Sequence, residues 1–172
     1  FFLTLLFALP LGMLVAVLRM SKNKVISSIM SFIISVLRGT PLMLQLIAVT
    51  YGPYYLFGWT VSRNKLIPVV IAFSINYAAY FAEIYRGGIQ SMSRGQYDAA
   101  QVLGYTKAQT FFHIILPQVV KRILPSITNE VVTLVKDTSI AFTVSYQEMF
   151  TIGKQIANSQ TSFTPFLVAG IF

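Results

Sequence analysis

Long apolar runs separated by short polar connections dominate this chain. They extend from Phe1 to Leu18, Val25 to about Phe57, Leu66 to Ile84 and Ile123 to Phe150, with a fifth beginning at Phe163. A helix rises about 1.5 Å per residue, so about 20 apolar residues cross the ~30 Å hydrocarbon core of a bilayer. The pattern predicts an all-α integral membrane protein with about five transmembrane helices. Composition agrees: of 172 residues, 55% are hydrophobic and 10% charged, against about a quarter charged in soluble domains. The second run exceeds one crossing and is interrupted by Arg38-Gly39-Thr40-Pro41, so its first part is expected at the cytoplasmic interface. The chain opens on Phe1 without a basic leader, and Phe163 to Phe172 is too short to cross. Truncation at both ends, with an incomplete last helix, is therefore expected.

The net charge of +8 lies between the apolar runs and not on one hydrophilic face, which argues against nucleic-acid binding. Arg19, Lys22, Lys24, Arg86, Arg94, Lys107, Lys121 and Arg122 border one side, with Arg63, Lys65 and Lys154 on the other. Basic residues favour the cytoplasmic side, so the long polar connection is expected inside and the N-terminal end outside. The absence of cysteine excludes thiolate chemistry, and the lone His113 cannot build a metal site with other histidines.

That connection begins with a capping-box pattern, Ser93 to Gln96, and reaches Gly104, a residue suited to a left-handed helix cap. Thr106 to Gln109 repeats the start signal, and Leu116-Pro117 is expected to close the second helix. Two short cytoplasmic helices joined at Gly104 follow from these signals.

Asp98-Ala99-Ala100, then three residues, Gly104, nine residues and Ile114-Ile115-Leu116-Pro117 reproduce the spacing of a known loop. It resembles the EAA loop of the permeases of type I ABC importers, with Asp98 replacing the usual glutamate. Arg38-Gly39-Thr40-Pro41-Leu42, Gln45-Leu46, Tyr80 to Gly88 and Lys136-Asp137-Thr138-Ser139 are similar to the subgroup that takes up histidine, arginine, glutamine, glutamate and opines. The resemblance implies that residues 1–172 form a single type I transmembrane domain, with residues 93–117 as its coupling loop. It implies docking on an ATPase through Tyr97, Asp98, Ala99, Ala100, Leu103, Gly104 and Tyr105. The expected partners are two ABC ATPase subunits carrying ATP and Mg, a second identical or similar permease chain and an extracytoplasmic solute-binding protein. No cofactor is expected in this chain. It has no Gly-x-x-x-x-Gly-Lys-Ser/Thr phosphate loop, so the energy source is expected on a partner and not on an enzymatic site here.

Charges at membrane depth cost about 2.5 to 3.5 kcal/mol each on insertion scales, so Glu130, Lys136 and Asp137 require a reason. At ~100° per residue, Asn129, Glu130, Thr133, Lys136 and Asp137 fall within an arc of about 120°. Asn76, Tyr80 and Glu83 form a second stripe at spacings of four and three. Facing stripes would line a pathway, with Asp137 or Glu130 for a solute ammonium and Lys136, Asn129 or Thr133 for its carboxylate. Acids outnumber bases there, which favours cationic or neutral polar amino acids. The competing reading of these charges is permanent interhelical pairing, with Lys136 or Arg38 neutralising Glu83, Glu130 or Asp137. At the level of the whole chain, a gradient-driven carrier or channel is the alternative; it predicts inverted repeats, and none is evident. An intramembrane enzyme would need a second catalytic acid at the depth of Asp137, and none is matched to it.

Overall fold

A computed structural model describes residues 1–60, 64–144 and 149–171. Arg63, counted above for orientation, and residues 145–148 of the fourth apolar run lie outside the described residues. The described chain is helical: α1 (Phe2–Arg19), α2 (Lys24–Gly39), α3 (Leu42–Phe57), α4 (Leu66–Gln90), α5 (Arg94–Val102) and α6 (Lys107–Gln109) come first. A π turn (Thr110–Ile115) then leads into α7 (Leu116–Asp137), a 3₁₀ segment (Thr138–Val144), α8 (Met149–Gln160) and α9 (Thr164–Ile171).

The central element is α4, which packs against α1, α2, α3 and α7. The face of α1 that meets it carries Thr4, Ala8, Gly12 and Ala16, one residue per turn. Small side chains at this spacing let two backbones approach closely, a packing mode suited to lipid, where there is no hydrophobic force between helices. A Cβ on Gly12 would lie 2.8 Å from Cβ of Phe81 and 3.1 Å from the Ala78 carbonyl oxygen. Gly88 plays the same part against α7, where an added Cβ would collide with Ile123 and come within 3.2 Å of Val119. Within α4, Phe73, Tyr77, Phe81 and Tyr85 follow one another a turn apart, with ring centroids 6.3–6.5 Å from their neighbours; the first and last pairs stack and the middle pair is tilted by 48°. Outward positions such as Phe2, Phe32, Leu44 and Ile67 are exposed and apolar, as a lipid solvent requires.

The second apolar run is two helices, α2 and α3, bent by 105°. Pro41 causes the break. A residue before proline is pushed out of the α region, and Thr40 is extended at φ −110°, ψ 145°. The break orphans carbonyls at the end of α2, and side chains cover them. Gln45 Nε2 donates to the Leu37 carbonyl at 2.7 Å and to the Thr40 carbonyl at 3.2 Å. Asn76 Nδ2 donates to the same Leu37 carbonyl at 3.2 Å and to Gln45 Oε1 at 3.1 Å. Thr40 Oγ1 donates to the Val36 carbonyl at 2.8 Å.

Among the described residues, α1 and α4 are long and apolar enough to cross a membrane, and the bent pair α2–α3 adds a third crossing if it counts as one. The fourth apolar run is not a single helix. It divides after Asp137 into 3₁₀ structure, and α7 carries Lys121, Arg122, Glu130, Lys136 and Asp137. The run from Phe163 contributes the eight-residue α9.

Candidate functional site

The polar connection folds into α5, a reversal at Gly104, and α6 with its π turn. Gly104 sits at φ +80°, the left-handed region where only glycine avoids a Cβ clash. Its N–H donates to the Gln101 carbonyl and that of Tyr105 to the Ala100 carbonyl, both at 3.0 Å, which forms a Schellman motif. Thr106 and Gln109 form the expected capping box: the Thr106 hydroxyl accepts from the Gln109 N–H, and Gln109 Oε1 accepts from the Thr106 N–H.

Two local expectations are corrected. Ser93 caps α5 without a side-chain bond, so its box with Gln96 does not form. Gln96 turns to α7, where its amide pairs reciprocally with that of Gln118 at 2.9 and 2.8 Å. Nor does Leu116-Pro117 close the second helix. The Leu116 N–H reaches back five residues to the Phe111 carbonyl. This wide turn delivers Pro117 into the first turn of α7, where no N–H is required of it. Helical backbone therefore runs from Lys107 to Asp137.

The residues expected to dock divide into two groups. Ala100 is 1% exposed and packs inside the chain, so it seats α5 and presents nothing outward. Tyr97, Asp98, Ala99, Leu103, Gly104 and Tyr105 are exposed. The tip is apolar, with Val102 at 87% and Leu103 at 73% exposure, on a helix otherwise rich in polar residues. Beside it, Tyr97, Gln101, Tyr105, Lys107, Thr110 and Phe111 line a depression of about 550 Å³ between α5 and α6.

At membrane depth, α4 and α7 meet where the Tyr77 hydroxyl donates to Asp137 Oδ2 at 2.7 Å. Tyr77 was not singled out from sequence; it lies one residue from the stripe, and only its buried aromatic ladder marks it. Of the α7 stripe, Asn129, Thr133 and Lys136 are exposed, while Glu130 and Asp137 are half-buried. Asn129, Thr133 and Lys136 therefore face outward, whereas Glu130 and Asp137 lie on the side of α7 that also carries the buried Ile123 and Leu134. The α4 stripe divides. Asn76, 4% exposed, is bound into the α2–α3 bend. Tyr80 lies beneath the Arg38 guanidinium, whose central carbon is 5.0 Å from the ring centroid. Glu83 pairs with Arg86 on its own helix at 2.6 Å. Among the described residues this is the ion pair, so the interhelical pairings considered for Arg38 and Lys136 are not formed. A cation one turn away on the same rigid helix reaches Glu83 without any tertiary rearrangement.

The sequence pattern of the family described as "Binding-protein-dependent transport system inner membrane component" matches residues 8–172. The chain is 35% identical over 179 residues to the nopaline transport system permease protein NocM of Agrobacterium fabrum, covering 98% of this chain and 73% of the relative. It is 35% identical over 169 residues to the putative glutamine transport system permease protein GlnP of Rickettsia conorii, covering 97% and 76%. Its fold superposes on the crystal structure of an amino acid ABC transporter with histidines at a TM-score of 0.85. Sequence identity there is 33%, covering 99% of this chain and 78% of that one.

Proposed function

The chain belongs to the family of binding-protein-dependent transport system inner membrane components, and from that premise we propose that it carries polar amino acids through the membrane as the permease subunit of an ATP-driven importer. Residues 1–172 act as one transmembrane domain, with residues 93–117 as its coupling loop. The observation that carries the coupling is the exposed apolar tip of α5, Val102 and Leu103, on a loop bordered by basic residues. Such a tip on the cytoplasmic side calls for a groove in another protein. An ABC ATPase pair, holding ATP and Mg, supplies it, and closure of the nucleotide sites pushes on α5. A second permease chain covers the polar face of α7, and a solute-binding protein delivers cargo from outside, where the N-terminal end lies.

The half-buried carboxylates of Glu130 and Asp137 and the exposed Lys136 support recognition of a molecule bearing both charges. Pairing of Glu83 with Arg86 removes one acid from the balance. The remaining site suits neutral polar amino acids, with cationic ones next and acidic ones last. Uptake into vesicles containing the full importer and its binding protein, competed by glutamine, arginine and glutamate in turn, tests this order. Strongest competition by glutamate would overturn it.

A further inference from the structure

The docking helix is joined to α4 by Ser91, Met92 and Ser93, yet its side-chain bonds run to α7. Gln96 Nε2 donates to Gln118 Oε1 at 2.9 Å, and Gln118 Nε2 donates to Gln96 Oε1 at 2.8 Å. Gln118 Nε2 also donates to the Ile114 carbonyl at 2.8 Å, which aims its amide at α5. One turn further along α7, Arg122 Nη1 donates to both the carbonyl and the hydroxyl of Ser91 at 2.9 Å. The Ser91 hydroxyl in turn donates to the Gly88 carbonyl at 2.7 Å. Behind these bonds, Gly88 lets Val119 and Ile123 close on α4, and Ala100, Met92 and Ile115 are buried.

We propose that Gln96 and Gln118 are positioning residues that make the docking helix α5 and the polar helix α7 move as one body during transport. This rests on the reading that α5 docks on the ATPase. With nine residues, α5 is too short to hold its own orientation, and its buried side chain is the small Ala100. Two antiparallel amides satisfy each other's donor and acceptor and fix both distance and rotation, which a single apolar contact does not. From Leu116 the helix continues for 22 residues to Asp137, a lever of about 33 Å. Displacement of α5 at the membrane surface is thereby delivered to Glu130 and Asp137.

The chain has no cysteine, so a Gln96→Cys/Gln118→Cys pair joined by a short bifunctional thiol reagent tests this in the complete importer, reconstituted with its ATPase and binding protein. The linked pair is expected to keep uptake per ATP hydrolysed unchanged. Gln96→Leu is expected to retain the ATPase subunit but lower uptake per ATP several-fold. Gln96→Glu, which keeps the acceptor for Gln118, is expected to fall between. Loss of uptake on linking, with the ATPase still bound, would show that α5 must swing against α7 and would overturn the proposal. So would full coupling in Gln96→Leu. Leu103→Asp separates the two layers: if that variant bound the ATPase and transported normally, the docking reading would fail whatever the linked pair did.

Discussion

The Tyr77 hydroxyl donates a 2.7 Å hydrogen bond to Asp137 Oδ2, tying the middle of α4 to the last residue of α7. Tyr77 is buried and its ring belongs to the aromatic ladder that holds α4 in the core. The bond therefore anchors the C-terminal end of α7 to the most firmly packed helix. It also holds Asp137 in one orientation on the polar face.

Tyr77→Phe removes the hydroxyl and leaves the ring. Hydrogen bonds to charged groups contribute about 1.5 to 3 kcal/mol, and loss of this one should lower the thermal stability of the purified complex. If Asp137 meets solute, the half-saturation concentration for uptake should change as well. Unchanged stability and unchanged uptake would dismiss the bond as incidental.

Gly88→Val places a branched side chain where Ile123 and Val119 already lie. Overpacking of this kind costs about 1 to 3 kcal/mol, and here it prises α4 from α7 close to where α5 begins. Gly87→Ala is the paired control, since nothing lies within 4 Å of its added Cβ. The yield of folded, monodisperse protein should fall for the first variant and hold for the second. Equal yields would contradict the close crossing.

Gly104→Ala forces a Cβ into the left-handed region at φ +80°, at about 1 to 2 kcal/mol. Tertiary space is not the difficulty, because beyond the adjoining residues no atom lies within 4 Å of the added Cβ. Gly104→Asn, which tolerates this conformation better, should be milder. Retention of the ATPase subunit through detergent purification should rank wild type above Gly104→Asn and both above Gly104→Ala. A reversed ranking would mean that the turn is not what positions α5.

Gln45→Leu strips the Leu37 and Thr40 carbonyls at the α2–α3 bend of their shared donor. It also removes the acceptor that Gln45 Oε1 offers to the buried Asn76 amide; a hydrogen bond contributes about 0.5 to 1.5 kcal/mol net, so the variant should unfold at lower temperature. Asn76→Leu should produce a similar loss, and the double variant should depart from the sum, because the bond between the two amides is lost in either single variant and the Leu37 carbonyl loses its last side-chain donor only in the double one. Strict additivity would argue against a shared network.

The fold of residues 93–117 is legible in the sequence because its signals are local. A glycine at the reversal, a Thr-x-x-Gln start and the spacing from Asp98 to Pro117 act within a few residues, whatever lies around them. The capping-box pattern at Ser93 misled for the complementary reason: Gln96 bonds as well to a distant amide as to its own backbone, and the folded chain supplies Gln118. Pro117 misled because proline stops an ordinary α-helix, whereas the π turn before it hands the residue to a first turn. Along α7, helical periodicity groups Asn129, Glu130, Thr133, Lys136 and Asp137 in one arc, and packing then divides them into an exposed and a half-buried set. Along α4, Asn76, Tyr80 and Glu83 each meet a different partner, which helical spacing alone does not reveal.

The sequence alone determined the solvent and the class. Apolar runs of bilayer length, basic connections and a loop of fixed spacing are properties of order along the chain, and no packing is needed to read them. Tertiary structure decided which polar groups meet: Tyr77 with Asp137, Gln96 with Gln118, and Asn76 with Gln45. Each is a bond between helices, and which faces come together depends on where small residues such as Gly12 and Gly88 allow backbones to close. That choice is made by the summed packing of all the helices at once, and no single segment carries it.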